Sequence, residues 1–127
     1  MKLIIAGGRD FEDIRIAKNI IKKVLVRNDV TELVSGTARG ADQMAYLFSD
    51  KHPVTEFPPD WKNKGKSAGY FRNLEMANYS DILLAFWDGK SKGTKHMIDL
   101  AESNNLKVYV VDYKGNLTYK VNGAKNE

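Results

Sequence analysis

The segment Asp81-Ile82-Leu83-Leu84-Ala85-Phe86-Trp87 contains six consecutive apolar residues after its aspartate. A continuous apolar run of this length is typical of a strand that is buried on both faces of a parallel sheet. A helical pattern precedes it from about Ala68 to Tyr79, and another helical pattern begins near Thr94. The segment is therefore predicted to be a central strand in a βαβ arrangement, with helices covering both faces of the sheet.

The alternation of apolar runs and helical patterns continues in both directions from this strand. Four further strands are predicted, at Lys2–Ala6, Glu32–Ser35, Val54–Phe57 and Val108–Val111. One further helix is predicted from Ile14, Ala17, Ile21 and Val24, with Asp10 and Asp13 placed to cap its start, and another from Met44, Ala45, Leu47 and Phe48. The stretch Pro58–Ser67 has no periodicity and is predicted to be an exposed loop.

The C-terminal region predicts one more strand. A Gly-Asn pair lies between β-favouring residues in Tyr113–Tyr119, which is typical of a hairpin, and Asn122–Glu127 is predicted to fray. The full pattern predicts an α/β, Rossmann-like three-layer domain with a mainly parallel five-stranded sheet plus a C-terminal hairpin strand. Residues 1–112 form the domain in this prediction, and residues 113–127 form the hairpin extension and tail.

Composition narrows the range of functions. The 127-residue chain has 43 % apolar residues, enough for one core, and it has no cysteine, which excludes disulfide and thiolate metal sites. His52 and His96 share no ligand spacing, so we expect no metal and no cofactor. The apolar stretch Leu3–Ala6 is too short for a signal-peptide core or a membrane span, and we expect a cytoplasmic protein without a membrane partner. The formal charge of +4 favours anionic partners.

Three loops at predicted strand ends are small or glycine-rich and run into helices, namely Gly7–Asp10, Ser35–Asp42 and Asp88–Thr94. Ligands of open parallel sheets bind at this edge. Glycine permits close backbone approach, and a helix N-terminus offers free N–H groups to phosphate. No loop is a Walker A motif, and the first turn lacks the Gly-x-Gly-x-x-Gly spacing of ordinary dehydrogenases. Although a single such turn can be purely structural, the three together predict a phosphate or ribose site.

Five motifs occur in order along the chain, at Gly7–Phe11, Ser35–Asp42, Phe57–Trp61, Arg72–Ala77 and Phe86–Thr94. With these motifs, the chain from Met1 to about Val111 resembles the YspA, cpYpsA-related branch of the SLOG superfamily. The resemblance implies a Rossmann-like fold and nucleotide-derived ligands. Relatives in this superfamily include the LOG cytokinin-activating phosphoribohydrolases, the DprA/Smf single-strand DNA-binding proteins and SLOG sensor domains of bacterial conflict systems.

The LOG enzymes use a catalytic arginine from an Arg-x-x-x-Met helix and a glutamate from Pro-Gly-Gly-x-Gly-Thr-x-x-Glu. Arg72 and Met76 match the first motif, and Gly93-Thr94 matches part of the second, but Met97 occupies the glutamate position. Asp99 lies two residues further along the helix, rotated by about 200°. Because cleavage of an N-glycosidic bond requires a carboxylate, the resemblance favours binding over catalysis.

The leading hypothesis is a module that senses or sequesters a nucleotide or a nucleotide-derived small molecule in bacterial or phage conflict or signalling. Arg72 is expected to pair with a phosphate, while Lys92, Gly93 and Thr94 hold a second anionic group. Asp88 either binds a ribose hydroxyl or terminates its strand. The expected ligand-binding residues are Gly7, Gly8, Arg9, Asp10, Ser35, Gly36, Thr37, Arg39, Gly40, Asp42, Arg72, Asp88, Lys92, Gly93 and Thr94.

Two alternatives remain open. One is a LOG-like phosphoribohydrolase or other nucleotide N-glycosidase, in which Arg72 acts with Glu75 or Asp99. The other is single-stranded nucleic-acid binding along loop lysines, namely Lys62, Lys64, Lys66, Lys90, Lys92 and Lys95. Three aromatic residues near the loops either stack on a base or pack within the domain: Trp61, Tyr70 and Trp87. We also expect a homo-oligomer, in the form of a homodimer.

Overall fold

A single six-stranded sheet organises the computed structural model, which describes residues 1–124; the predicted tail residues 125–127 lie outside this range. The strands are β1 (Lys2–Gly7), β2 (Glu32–Ser35), β3 (Val54–Glu56), β4 (Ile82–Phe86), β5 (Lys107–Val111) and β6 (Leu117–Val121). Their order is β3-β2-β1-β4-β5-β6; the first five run parallel, and β6 pairs antiparallel with β5. The predicted Rossmann-like α/β fold with a C-terminal hairpin strand is confirmed.

Helices cover both faces of the sheet. Alternate residues of β1 and β4 pack on one face against α1 (Ile14–Arg27) and a 3₁₀ helix (Gly40–Phe48). The intervening residues pack on the other face against α3 (Ala68–Tyr79) and α4 (Lys92–Ser103). Every residue of β4 is therefore fully buried, which explains its unbroken apolar sequence.

The second predicted helix forms as a 3₁₀ helix, so its predicted type was wrong. Its buried side includes Ala41 and Met44, and Leu47 packs against the same core cluster. This spacing of three places side chains above one another in a helix with three residues per turn. The apolar pattern thus located the element and did not distinguish the two helix types.

The prediction of a structureless loop at Pro58–Ser67 was also wrong. The segment contains the short helix α2 (Trp61–Lys64) and a 3₁₀ turn (Gly65–Ser67). Asp60 caps α2, because its Oδ1 accepts a hydrogen bond from the Asn63 N–H at 3.2 Å. No residue of the two elements is buried, so they have no apolar face that periodicity could reveal.

The caps of two helices were predicted in part. Asp13 caps α1 by accepting from the Ile16 N–H at 3.0 Å, whereas Asp10 accepts from the Tyr113 hydroxyl and caps no helix. Helix α4 begins at Lys92, close to the start predicted near Thr94, because Ser91 supplies its capping oxygen. No helix within residues 1–124 is long and apolar enough to span a membrane.

Candidate ligand-binding site

A cleft of about 580 Å³ lies at the carboxyl edge of the parallel strands. Its walls come from the loop after β1, the loop after β2, helix α3 and the first turn of α4. Its volume is within the usual range for small-molecule sites, and its position is where open parallel sheets bind ligands. The topology therefore brings the three glycine-rich loops to one cavity.

Most of the predicted ligand-binding residues line this cleft. Those that do are Gly7, Gly8, Arg9, Asp10, Arg39, Asp42, Arg72, Asp88, Gly93 and Thr94. Those that do not are Ser35, Gly36, Thr37, Gly40 and Lys92. The side chain of Lys92 is exposed outside the cleft. Of the others in this second group, Ser35 ends β2, Gly36 and Thr37 lie in the loop after it, and Gly40 begins the 3₁₀ helix.

The loop after β2 is held by its own polar groups. Ser35 Oγ donates to the Asp42 carbonyl at 3.0 Å and accepts from the Thr37 N–H at 3.1 Å. Thr37 has a φ of 67°, which is strained for a β-branched residue. Gly40 has a φ of 75°, and a Cβ there would lie 2.4 Å from the Gly8 carbonyl oxygen. These residues therefore support the wall of the cleft without lining it.

Arg72 projects from α3 across to this loop. Its Nη1 donates to the Gly36 carbonyl, and its Nε donates to Asn73 Oδ1 at 2.9 Å. Asn73 Nδ2 in turn lies 3.1 Å from His96 Nδ1 and 3.5 Å from the Gly93 carbonyl, to which it donates. Burial lowers the Arg72 pKa from its ordinary value, and the nearby Asp42 opposes that shift. The guanidinium is thus fixed in orientation.

Three guanidiniums at the cleft retain unused hydrogen-bond donors. Arg72 Nη2 has no acceptor within residues 1–124, and neither Arg9 nor Arg39 makes a side-chain hydrogen bond in that range. Arg72 is half-buried, whereas Arg9 and Arg39 are exposed. A guanidinium with unused donors suits a carboxylate or a phosphate, which it can bind through two parallel bonds.

Asp42 is the most buried carboxylate at the cleft, with 5 % of its surface exposed. Its Oδ2 accepts from the Ala38 N–H at 3.1 Å. Burial raises its pKa to about 6, although the N–H groups of Ala38 and Gly7 and the charges of Arg72 and Arg9 act in the opposite direction. A Cβ on Gly36 would lie 2.9 Å from this oxygen and 2.7 Å from Arg72 Nη1, so both groups pack against the same glycine.

The N-terminus of α4 forms the opposite wall. Ser91 Oγ accepts from the Thr94 N–H at 3.4 Å, while the N–H groups of Lys92 and Gly93 have no acceptor in the described part of the chain. Asp88 Oδ1 accepts from the Lys90 and Ser91 N–H groups at 2.8 Å each, and these bonds lower the Asp88 pKa. Gly93 is helical and a Cβ there would meet nothing within 4 Å, so its surroundings are open.

A tyrosine from the C-terminal part of the chain holds the Asp10 side chain in place. The Tyr113 hydroxyl donates to Asp10 Oδ1 at 2.5 Å, and the Tyr113 ring packs against Phe11, which stacks on Phe86. A Cβ on Gly8 would lie 1.8 Å from the Tyr113 hydroxyl. The missing side chain at Gly8 therefore leaves space for Tyr113, whereas the sequence predicted that it leaves space for a ligand.

The carboxylates predicted for an enzyme lie outside the cleft. Glu75 is exposed on α3, and Asp99 pairs with Lys95 at 2.5 Å on an exposed part of α4. Met97 does line the cleft together with Arg72 and is almost fully buried. The structure therefore does not bring Arg72 together with Glu75 or Asp99.

Several lining residues were not predicted from the sequence, chiefly Glu12, Asn73 and Ser91. Asn73 has a detectable signal, because it lies on the buried stripe of α3 with Met76 and Ala77, and a polar residue in such a stripe needs a partner. Glu12 and Ser91 lie beside predicted residues in the same loops. The predicted lysines, by contrast, contribute no side chain to the cleft lining.

Comparison with known proteins gives two matches. The family described as the YspA, cpYpsA-related SLOG family matches residues 1–63, a range that contains the loops after β1 and β2. The chain is also similar to Gene 61 protein of Mycobacterium phage D29, with 31 % identity over 116 residues. That match covers 84 % of this chain and 93 % of the phage protein, and so extends well beyond the first half of the sheet.

Proposed function

Because this chain belongs to the YspA, cpYpsA-related SLOG family, we propose that it binds a nucleotide or a nucleotide-derived small molecule in the cleft. The observation that carries the proposal is the set of unused donors on Arg9, Arg39 and Arg72 around one cavity. The open N–H groups at the start of α4 add a second anion-binding wall. A phosphate between Arg72 and Gly93 would engage both walls.

The carboxylates of the cleft support a nucleotide over a simple anion. Asp10, Glu12, Asp42 and Asp88 line the same cavity as the three arginines. Carboxylates repel phosphate but accept hydrogen bonds from ribose hydroxyls and from the N–H groups of bases. A ligand that carries both phosphate and hydroxyl or N–H groups satisfies both sets of side chains.

This mixture of charges also argues against a nucleic-acid strand as the ligand. A groove that follows a strand backbone presents mainly positive charge. Here the lining arginines are interspersed with carboxylates, and the lysines of α2 and of the loop before α4 contribute no lining side chain. We therefore propose sensing or sequestration of a small molecule.

A second candidate function rests on Asp42. A buried carboxyl group with a pKa near 6 beside an arginine is a suitable general acid or base, and it faces the cleft with Arg72. This candidate is a nucleotide N-glycosidase in which Asp42 takes the role that Glu75 and Asp99 are too remote to fill. It differs from the leading proposal only in turnover.

Mass spectrometry of small molecules released from freshly purified protein tests the proposed function, with Arg72→Ala protein purified in parallel as the control. We expect a phosphorylated nucleoside derivative to be enriched with the wild type. The proposal would be contradicted if the two preparations released the same small molecules and neither was enriched in a phosphorylated nucleoside derivative.

We predict that wild-type protein incubated with AMP releases no adenine above the uncatalysed background, because the motif spacing aligns Met97 with the glutamate of the LOG enzymes. Chromatography of the reaction is the measurement. Adenine release that requires both Asp42 and Arg72 would establish the glycosidase instead.

We predict that Arg72→Ala weakens AMP binding by roughly 1.5–3 kcal/mol, the range for a hydrogen bond to a charged group. Calorimetry measures the affinity, and a thermal melt checks that the loss of the bonds to Gly36 and Asn73 leaves the fold intact. Unchanged affinity in a folded variant would remove Arg72 from the site.

A further inference from the structure

A separate groove of about 280 Å³ adjoins the cleft on the side of α2. Its lining residues are Arg9, Thr37, Ala38, Arg39, Pro59, Trp61 and Arg72. Four of these, Arg9, Ala38, Arg39 and Arg72, also line the cleft, so the two cavities meet at Ala38 and at three guanidiniums. A phosphate bound there would be accessible from both sides.

Trp61 is the aromatic residue of the groove, and 55 % of its surface is exposed. Within residues 1–124 its indole stacks on no other ring and on no cation. The other two aromatic residues predicted to stack on a base have partners: Tyr70 stacks on His96, and Trp87 donates to the Ser91 carbonyl. Trp61 is therefore the free stacking surface beside the arginines.

The cleft has apolar lining residues that the groove lacks. Met76 and Met97 line the cleft and do not line the groove. Both methionines are held in the core between α3, α4 and the sheet, with 1 % and 2 % of their surfaces exposed. The guanidiniums thus lie where the two cavities meet, and Trp61 provides the free aromatic surface on the side of the groove.

We infer that the groove is a second ligand compartment and that the ligand is a dinucleotide, in which phosphate joins two nucleosides. The inference rests on the proposed function and specifies its ligand class. One nucleoside occupies the cleft, which is large enough for a whole mononucleotide by the usual size of such sites. The phosphates lie on Arg9, Arg39 and Arg72, and the second base stacks on Trp61.

The test compares diadenosine 5′,5′-diphosphate with ADP-ribose, which has the same diphosphate and both riboses and lacks the second base. Calorimetry of wild-type protein should show at least five-fold tighter binding of diadenosine diphosphate, since stacking of one base on an aromatic ring contributes about 1–3 kcal/mol. Trp61→Ala should abolish this difference and change the affinity for ADP-ribose less than two-fold. Tyr119→Ala is the matched control, because Tyr119 is a comparably exposed aromatic residue on β6, outside both cavities.

Each other outcome overturns the inference in a distinguishable way. Equal binding of the two probes, unaffected by Trp61→Ala, would overturn the second compartment and leave the proposed function standing. Equal weakening of both probes by Trp61→Ala would mean that their shared adenosine stacks on Trp61, which overturns the two-base ligand. A twelve-nucleotide deoxyadenosine strand that binds more tightly than diadenosine diphosphate, with steep salt dependence, would replace the dinucleotide by a strand. Failure of both probes to bind would overturn the proposed function as well.

Discussion

A Gly93→Leu variant should remain as stable as the wild type and bind AMP at least about 100-fold more weakly. Gly93 is the second residue of α4, and no atom lies within 4 Å of a Cβ built there, so a side chain fits without strain. Replacing glycine within a helix favours folding by up to about 1 kcal/mol. The loss of affinity follows because the leucine side chain would occupy the cleft in front of the free N–H groups of α4.

The expected loss of affinity is large because the leucine side chain prevents two hydrogen bonds from the α4 N–H groups to the phosphate. Two hydrogen bonds to a charged phosphate contribute roughly 1.5–3 kcal/mol each, which corresponds to a factor of about 100 or more. Lys95→Leu is the matched control, since Lys95 is on the same helix and its side chain pairs with Asp99 away from the cleft. Denaturation curves and calorimetry on both variants provide the measurement. A stable Gly93→Leu protein with wild-type affinity would place the anion site elsewhere, most simply at Arg9 and Arg39.

An Asp42→Asn variant should be more stable than the wild type at pH 7.5. Asp42 has a pKa near 6 in the folded protein, above the ordinary value of 3.8, mainly because it is buried. The folded state therefore binds a proton more tightly than the unfolded chain, and Asp42 makes stability decrease as pH rises from about 4 to about 6. Above this window the fold is less stable with the ionised carboxylate than with the protonated carboxyl group, by up to about 3 kcal/mol.

Asparagine keeps the shape of the side chain and an oxygen that can accept from the Ala38 N–H, but it carries no charge. We expect the free energy of unfolding to rise by roughly 1–2 kcal/mol at pH 7.5 and not at pH 4. The gain is smaller than 3 kcal/mol because asparagine loses the hydrogen bond that the Asp42 carboxylate accepts from the Gly7 N–H. Urea denaturation across this pH range measures both values. A variant that is less stable at every pH would show that the charged hydrogen bonds outweigh burial. A stabilised variant with weaker AMP binding would show that the carboxylate is retained for the ligand.

The sequence predicted elements with buried faces most accurately. The bounds of β2 and α3 were predicted correctly, because turn residues and a continuous apolar stripe mark them. Helix α2 was missed because exposed residues carry no such stripe. The 3₁₀ helix was given the wrong type because a repeat of three over one short segment also fits an α-helix.

The loops predicted from the sequence do line one candidate cleft, but the surroundings of their glycines could not be predicted. Parallel strands end at one edge, so the loops after β1, β2 and β4 had to converge. Whether a glycine faces a ligand or another part of the chain depends on contacts between distant residues. A Cβ on Gly8 would meet Tyr113, and one on Gly36 would meet Arg72, whereas the space beside Gly93 is open. No local pattern distinguishes these cases.

The hydrogen bond from Tyr113 to Asp10 joins residues that are 103 positions apart in the chain. While the protein is being synthesised, β1 and β2 can pair long before α4 and Tyr113 have left the ribosome. Until then the cleft lacks the wall that contains Gly93 and the hydroxyl that orients Asp10. If the protein binds the proposed ligand, nascent chains should leave the cellular pool of that ligand untouched, and only chains whose Tyr113 has left the ribosome should compete for it.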